Sequence, residues 1–138
     1  MTFESFFNAF GDLEWLAVLV GMAVAGVLGY VWYGPAFGKL WAAKSGVGMQ
    51  SGEPTKMALT FAYFFVFNVG LQFLGYVYDG ANIEHALVAG LIVSIMVIAP
   101  ALYSAVVWAK KNMTVFLIDV GFWFVATALC VFAQSLVV

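Results

Sequence analysis

The sequence predicts an all-α integral membrane protein with four transmembrane helices, on three observations. Of its 138 residues, 65% are hydrophobic and 9% charged, against about 45–50% and 25% in an ordinary soluble domain. A chain this short has too much surface for its volume to bury that many apolar side chains in a water-soluble core, and disorder needs the opposite composition. Four stretches, about 13–33, 57–78, 84–108 and 113–138, are long enough to cross ~30 Å of hydrocarbon, which takes about 20 helical residues. Each is apolar around its whole circumference, as a lipid-facing helix is, and none alternates with the period of a barrel strand. The whole chain, 1–138, reads as one four-helix membrane domain.

The elements follow in order. The opening Met-Thr-Phe-Glu-Ser lacks the positive stretch of a secretory signal, so the first apolar segment is expected to be a retained span. Before it, Phe3, Phe6, Phe7 and Phe10 recur at helical spacing opposite Glu4, Ser5 and Asn8, the pattern of a short helix lying in the membrane interface. After span one, a second interfacial segment is expected. Phe37, Leu40 and Trp41 share a face there, and Lys39 and Lys44 can snorkel to the headgroups. Gly46, Gly48 and Gly52 make a connector, and Pro54 suits the first turn of span two. In span three Pro100 removes the hydrogen bond to the Met96 carbonyl and predicts a kink, bridged by Ser104 or a neighbouring helix.

Lysine placement gives the orientation. Lys39, Lys44 and Lys56 lie between spans one and two, and Lys110 and Lys111 between spans three and four. With four spans these connections share a side, which the positive-inside rule makes cytoplasmic, leaving the N- and C-termini outside. Trp15, Tyr76 and Tyr78 then fall near the outer interface, and Trp32, Tyr33, Trp41 and Trp108 near the inner one.

Span one and its continuation carry Glu14-Trp15-Leu16-Ala17-Val18-Leu19-Val20, then Gly29-Tyr30-Val31-Trp32-Tyr33-Gly34-Pro35-Ala36-Phe37-Gly38-Lys39-Leu40-Trp41. Span four carries Phe116-Leu117-Ile118-Asp119-Val120-Gly121-Phe122-Trp123. These stretches resemble a bacterial membrane family catalogued as domain of unknown function 1761. The likeness covers almost the whole chain apart from the Phe-rich start. It implies a four-helix domain in the bacterial inner membrane and supplies no activity. The inner-face motif Trp32, Tyr33, Gly34, Pro35, Phe37, Gly38, Lys39 and Trp41 is the part that characterises the family. At position 119 the resemblance implies Asn where this chain has Asp, so a role for an ionised Asp119 would not extend to the family at large.

Candidate functional residues are few. Asp119 is the one ionisable side chain well inside a span, about 9 Å deep at 1.5 Å per residue. An intramembrane acid is a candidate proton or cation site; equally, its carboxyl can be satisfied by Tyr33 or Asn68. Asp119, Trp123, Thr127, Cys130 and Gln134 align on one face of span four, and Asn68 and Gln72 lie one turn apart on span two. They could line a hydrated path or hold helices together. Small residues at four-residue spacing, Ala17, Gly21, Ala25 and Gly29 in span one and Ala86, Gly90 and Ser94 in span three, let backbones approach closely. Glu84, His85 and Asp79 lack metal-ligand spacing, so no metal and no cofactor is expected. No nucleophile–base pair or phosphate-binding loop is present.

Two function classes follow. One is a non-enzymatic protein packing as a homo-oligomer or as an accessory subunit of a larger membrane complex, supported by the small-residue stripes. The other is an oligomeric proton- or cation-coupled permease or channel using Asp119. The net charge of −2, with five lysines and no arginine, leaves no footprint for nucleic acid. The expected partners are the lipid bilayer and further membrane subunits.

Overall fold

The computed structural model describes residues 2–48 and 52–138. Helix α1, Phe3–Asn8, is closed by a capping box between Thr2 and Ser5. A 3₁₀ turn, Ala9–Asp12, then leads to α2, Trp15–Val31. The chain continues without a break through a π-helical turn, Trp32–Ala36, so span one ends three residues beyond the expected boundary at Tyr33. Pro35 lies inside that turn, and the wider π spacing accepts a residue that cannot donate to the helix ladder. Helix α3, Gly38–Ser45, follows and stops at Gly46, whose φ of +79° is the left-handed conformation glycine adopts most freely. Residues 49–51 of the expected glycine connector, and Met1, lie outside the described residues.

Span two is α4, Pro54–Phe73, with Pro54 in its first turn as expected. Its far end differs from expectation. The helix was expected to reach Tyr78, but Gly75 takes a φ of +77° and the chain turns into a 3₁₀ segment, Tyr76–Asp79, that buries Val77. Span three begins at Ile83, where the Asn82 side chain accepts from the backbone N–H groups of Glu84 and His85. It comprises α5, Ile83–Leu91, a π-helical stretch, Ile92–Ile98, and α6, Ala99–Trp108. The perturbation expected from Pro100 therefore appears as π winding just before it. Ser104 does not bridge the gap at Met96; its hydroxyl donates to the Ala101 carbonyl at 2.7 Å. Span four is α7, Met113–Ser135, with Asn112 as N-cap.

Four helices are thus long and apolar enough to cross a membrane, and among the described residues there is no strand. Span four is the centre: half of its most apolar stretch is buried, against 22–28% in the other three. It packs along span one and span three, while span one also carries span two. The small-residue stripes make these contacts. Ala17, Gly21 and Ala25 are buried, a Cβ on Gly29 would touch Phe64 and Phe122, and one on Gly90 would stand 3.0 Å from the Phe124 carbonyl oxygen. Ala86 and Ser94 are fully buried on span three, and the Ser94 hydroxyl donates to Gly90 O.

Helix α1 lies across the end of span two. Phe6 stacks on Phe73 with centroids 5.0 Å apart, Phe10 meets the same ring at 4.9 Å, and Phe3 and Phe7 stay exposed. The shared face expected for the segment after span one is split. Phe37 and Trp41 turn inward, whereas Leu40 is exposed.

Candidate functional site

Two polar sites lie at opposite ends of the bundle. The first is at the end that carries the lysine-bearing connections. Asp119 sits in the second turn of span four, and its Oδ1 accepts from the Tyr33 hydroxyl at 2.7 Å and from Trp41 Nε1 at 3.2 Å. One residue before Tyr33, Trp32 Nε1 donates to the Ile118 carbonyl at 3.0 Å. Three aromatic residues of the Trp-Tyr-Gly-Pro…Trp stretch therefore hold two consecutive residues of span four. Of the two partners considered for Asp119, Tyr33 is present and Asn68 is not. Trp32 and Trp41, expected as membrane-interface anchors, are half-buried and spend their N–H groups on span four. Within the motif, Gly38 is buried and Lys39 exposed, while Gly34 has open space beside it.

The remaining carboxylate oxygen, Oδ2, has no partner among the described residues, and it is not sealed in the protein. Asp119 lines a half-open cleft of about 600 Å³ together with residues of span one, α3, span two and span four and with Gly48 and Gly52 of the connector. Eight aromatic side chains line it, and Asp119 is the one charged group among the described lining residues. The part supplied by span two, Thr60, Phe61, Tyr63 and Phe64, was not singled out in the sequence. Its signal was present in the aromatic density of that helix, but apolar aromatics on a span are equally what lipid contact selects.

The second site is at the opposite end. Gln72 Oε1 accepts from the Glu14 backbone N–H at 2.9 Å and from the Tyr78 hydroxyl at 3.3 Å. Its Nε2 donates to the Glu14 carbonyl at 3.0 Å and to Gln134 Oε1 at 3.2 Å. Gln134 Nε2 donates to Asn68 Oδ1 at 2.6 Å, and Asn68 Nδ2 donates to Phe64 O at 2.8 Å. Burial, with the carboxylates of Glu14 and Asp12 nearby, raises the Tyr78 phenol above its ordinary range, keeping the hydroxyl a donor. Among the described residues no buried side-chain polar atom lacks a partner, so this cluster joins spans one, two and four as a satisfied network.

The polar face expected along span four is therefore not one continuous lining. Asp119 and Trp123 belong to the cleft, and Gln134 to the far network. Between them Thr127 donates back to the Trp123 carbonyl of its own helix at 2.7 Å, and Cys130 donates to Gly21 O at 3.4 Å. Ala25, Phe64 and Phe122 fill the intervening layer. Beyond the far end, His85 Nε2 lies 2.9 Å from Tyr76 O and 3.4 Å from Asp79 Oδ2. Among the described residues no three potential metal ligands come together.

Four long apolar helices, span four the most buried of them, place the chain among multi-pass helical membrane proteins. The model of a family described as protein of unknown function (DUF1761) matches residues 16–134, and the chain belongs to that family. Comparison with curated proteins and with solved structures found no match.

Proposed function

We propose that the chain is a non-enzymatic protein of the bacterial cytoplasmic membrane, with both termini outside, that binds a cation at Asp119 from the cytoplasmic side. The observation that carries this reading is a cleft-lining carboxylate with one oxygen unpartnered among the described residues, where no described lining residue bears a compensating positive charge. A carboxylate costs about 2.5–3.5 kcal/mol at a helix centre on insertion scales and less at the second-turn depth of Asp119, and a bound cation offsets part of that cost. The orientation rests on all five lysines lying in the two connections at the cleft's end or, for Lys56, in the first turn of span two beside one of them.

The test is thermal unfolding of the purified full chain in neutral detergent across a panel of inorganic and organic cations. At least one is expected to raise the midpoint of the parent protein and leave Asp119→Asn unmoved; equal shifts in both proteins, or none in either, refute the reading. A reporter fused to the C-terminus is expected to score as external.

One observation favours transport as a second reading. The cleft is open at one end of the bundle, and the Asn68–Gln72–Gln134 network ties spans one, two and four together at the other, as in a carrier resting open to one side. Four helices enclose no full pathway, so two or more copies would be required, and proteoliposome flux should vanish in Asp119→Asn. Assembly as a homo-oligomer or accessory subunit is supported less by the small-residue stripes than the sequence suggested, because those stripes are taken up inside the chain. It would use the outward faces of spans two and three, and cross-linking in native membranes tests it.

A further inference from the structure

The geometry points to the class of ligand: a monovalent organic cation with apolar substituents, an ammonium or phosphonium whose charge rests at Asp119 Oδ2 and whose substituents pack against the aromatic walls. This rests on the reading of Asp119 as a cation site. Size speaks first. A cleft of about 600 Å³ lies within the ~300–1,000 Å³ typical of small-molecule sites, far more than a proton or bare metal ion occupies.

Ligand chemistry speaks second. Hard cations such as Mg²⁺ and Ca²⁺ take about six to eight oxygen ligands, and the cleft is poor in free ones. Asp119 is the one anionic oxygen donor among the described lining residues, and the other side-chain oxygens there are neutral hydroxyls of Tyr30, Tyr33, Thr60 and Tyr63. The walls are instead lined by the aromatic side chains of Tyr30, Trp41, Tyr63 and Trp123 among others. A weakly hydrated organic cation gains from such rings within about 6 Å of its charge.

Access speaks third. Tyr30 is 79% exposed, Tyr63 49% and Phe61 42%, although all three sit on helices apolar enough to cross a membrane. Part of the aromatic wall of the cleft is therefore exposed on the flank of spans one and two. A ligand dissolved in the bilayer reaches it laterally, which selects amphipathic cations over hydrophilic ones. The same chemistry is offered by a free amphipathic cation and by the ammonium headgroup of a lipid.

The experiment is equilibrium dialysis of labelled tetraphenylphosphonium against the full chain in dodecylmaltoside micelles. One saturable site is expected, at least tenfold weaker in Asp119→Asn, whose side chain keeps an oxygen acceptor for Tyr33 and Trp41. Tyr30→Ala removes a mostly exposed wall residue and should weaken binding about three- to tenfold without touching the core. Neutral triphenylphosphine oxide should not compete, nor should sodium or magnesium chloride at matched ionic strength. Displacement of the probe by added phosphatidylethanolamine assigns the headgroup as the source, and failure to displace it assigns a free cation; both uphold the class. Equal probe binding by the parent and Asp119→Asn, or unweakened binding by Tyr30→Ala, overturns it. If sodium, magnesium or protons stabilise the parent alone while the probe does not bind, the organic class falls and the Asp119 site stands.

Discussion

Gly21→Ala tests the far network with a single methyl group. A Cβ at position 21 would overlap Asn68 Oδ1, stand 2.6 Å from Asn68 Cγ and lie 2.8 Å from Gln134 Nε2. Asn68 must rotate away, and its bond from Gln134 is lost. Leaving a buried donor and acceptor unpaired costs about 1–3 kcal/mol each in general, and polar pairs between membrane helices average ~0.6 kcal/mol with a maximum near 1.7, which places this loss at the lower end. Overpacking adds about 1–3 kcal/mol, and the better helix propensity of alanine returns at most ~1. The net expectation is a destabilisation of about 2–3 kcal/mol, a thirty- to hundred-and-fifty-fold change in the folding equilibrium. The assay is unfolding in micelles of rising SDS fraction, followed by far-UV circular dichroism and by maleimide labelling of Cys130, a buried thiol that donates to the Gly21 carbonyl. Gly70→Ala is the control: it lies in span two with nothing within 4 Å of its added Cβ, and should be neutral or slightly stabilising. Asn68→Ala removes the overlapping atoms, so Gly21→Ala should cost less in that background. Equal midpoints for Gly21→Ala and Gly70→Ala, or strictly additive costs with Asn68→Ala, refute the reasoning.

Gly90→Ala places a methyl 3.0 Å from a backbone oxygen, Phe124 O, which cannot rotate aside; spans three and four should part slightly, at a cost of about 1–2 kcal/mol in the same SDS assay. Trp41→Phe keeps a ring beside Tyr33 and removes the donor to Asp119. A loss of about 1–3 kcal/mol should appear as faster amide exchange confined to Gly38–Ser45. Phe73→Ala deletes the ring met by both Phe6 and Phe10; at about 0.5–1.5 kcal/mol per ring pair, α1 should detach and proteolysis near Gly11 accelerate.

The four long helices were legible because apolar length is a one-dimensional signal that needs no knowledge of neighbours. Their ends were less so. Span two looked continuous to Tyr78 because Tyr76, Val77 and Tyr78 are apolar enough to extend it, and only the φ of Gly75 distinguishes a helix from a tight turn with the same composition. Asp119 stood out as the one acid well inside a span, and Tyr33 was among its candidate partners. Trp41 was not, because tryptophan beside lysine has the composition of an interface anchor whether its indole faces lipid or protein. The polar residues of span four shared one helical face, yet they serve two sites some 22 Å apart along the axis, at 1.5 Å per residue over fifteen residues. A helical wheel discards that axial coordinate. Nor does spacing reveal which helix meets a small-residue stripe, and here the partners of span one are Asn68, Gln134, Phe64 and Phe122 of the same chain.

Asp119 is held as it is because of the winding of span one. Trp32 and Tyr33 are adjacent, and side chains of adjacent α-helical residues diverge by about 100° at 3.6 residues per turn. Yet both reach span four, one at the Ile118 carbonyl and the other at the Asp119 carboxylate. A π turn, with its hydrogen bonds to the fifth residue, lowers that divergence, and the Phe37 N–H to Trp32 carbonyl bond at 2.8 Å is of that kind. Pro35 supplies the cause, since it has no N–H to give to an α-helical ladder and its ring crowds the carbonyl four residues back. The proline thus sets the winding that brings two aromatic donors to one side of the helix, and the chain then stops at Phe37 and returns as α3 to present Trp41. On this account the Gly-Pro pair acts through geometry at a distance of two residues. That explains how a motif with no titratable group beyond its lysine and tyrosine can define the carboxylate site, and why Asn, which also offers an oxygen to both donors, would fit the same cradle without its charge.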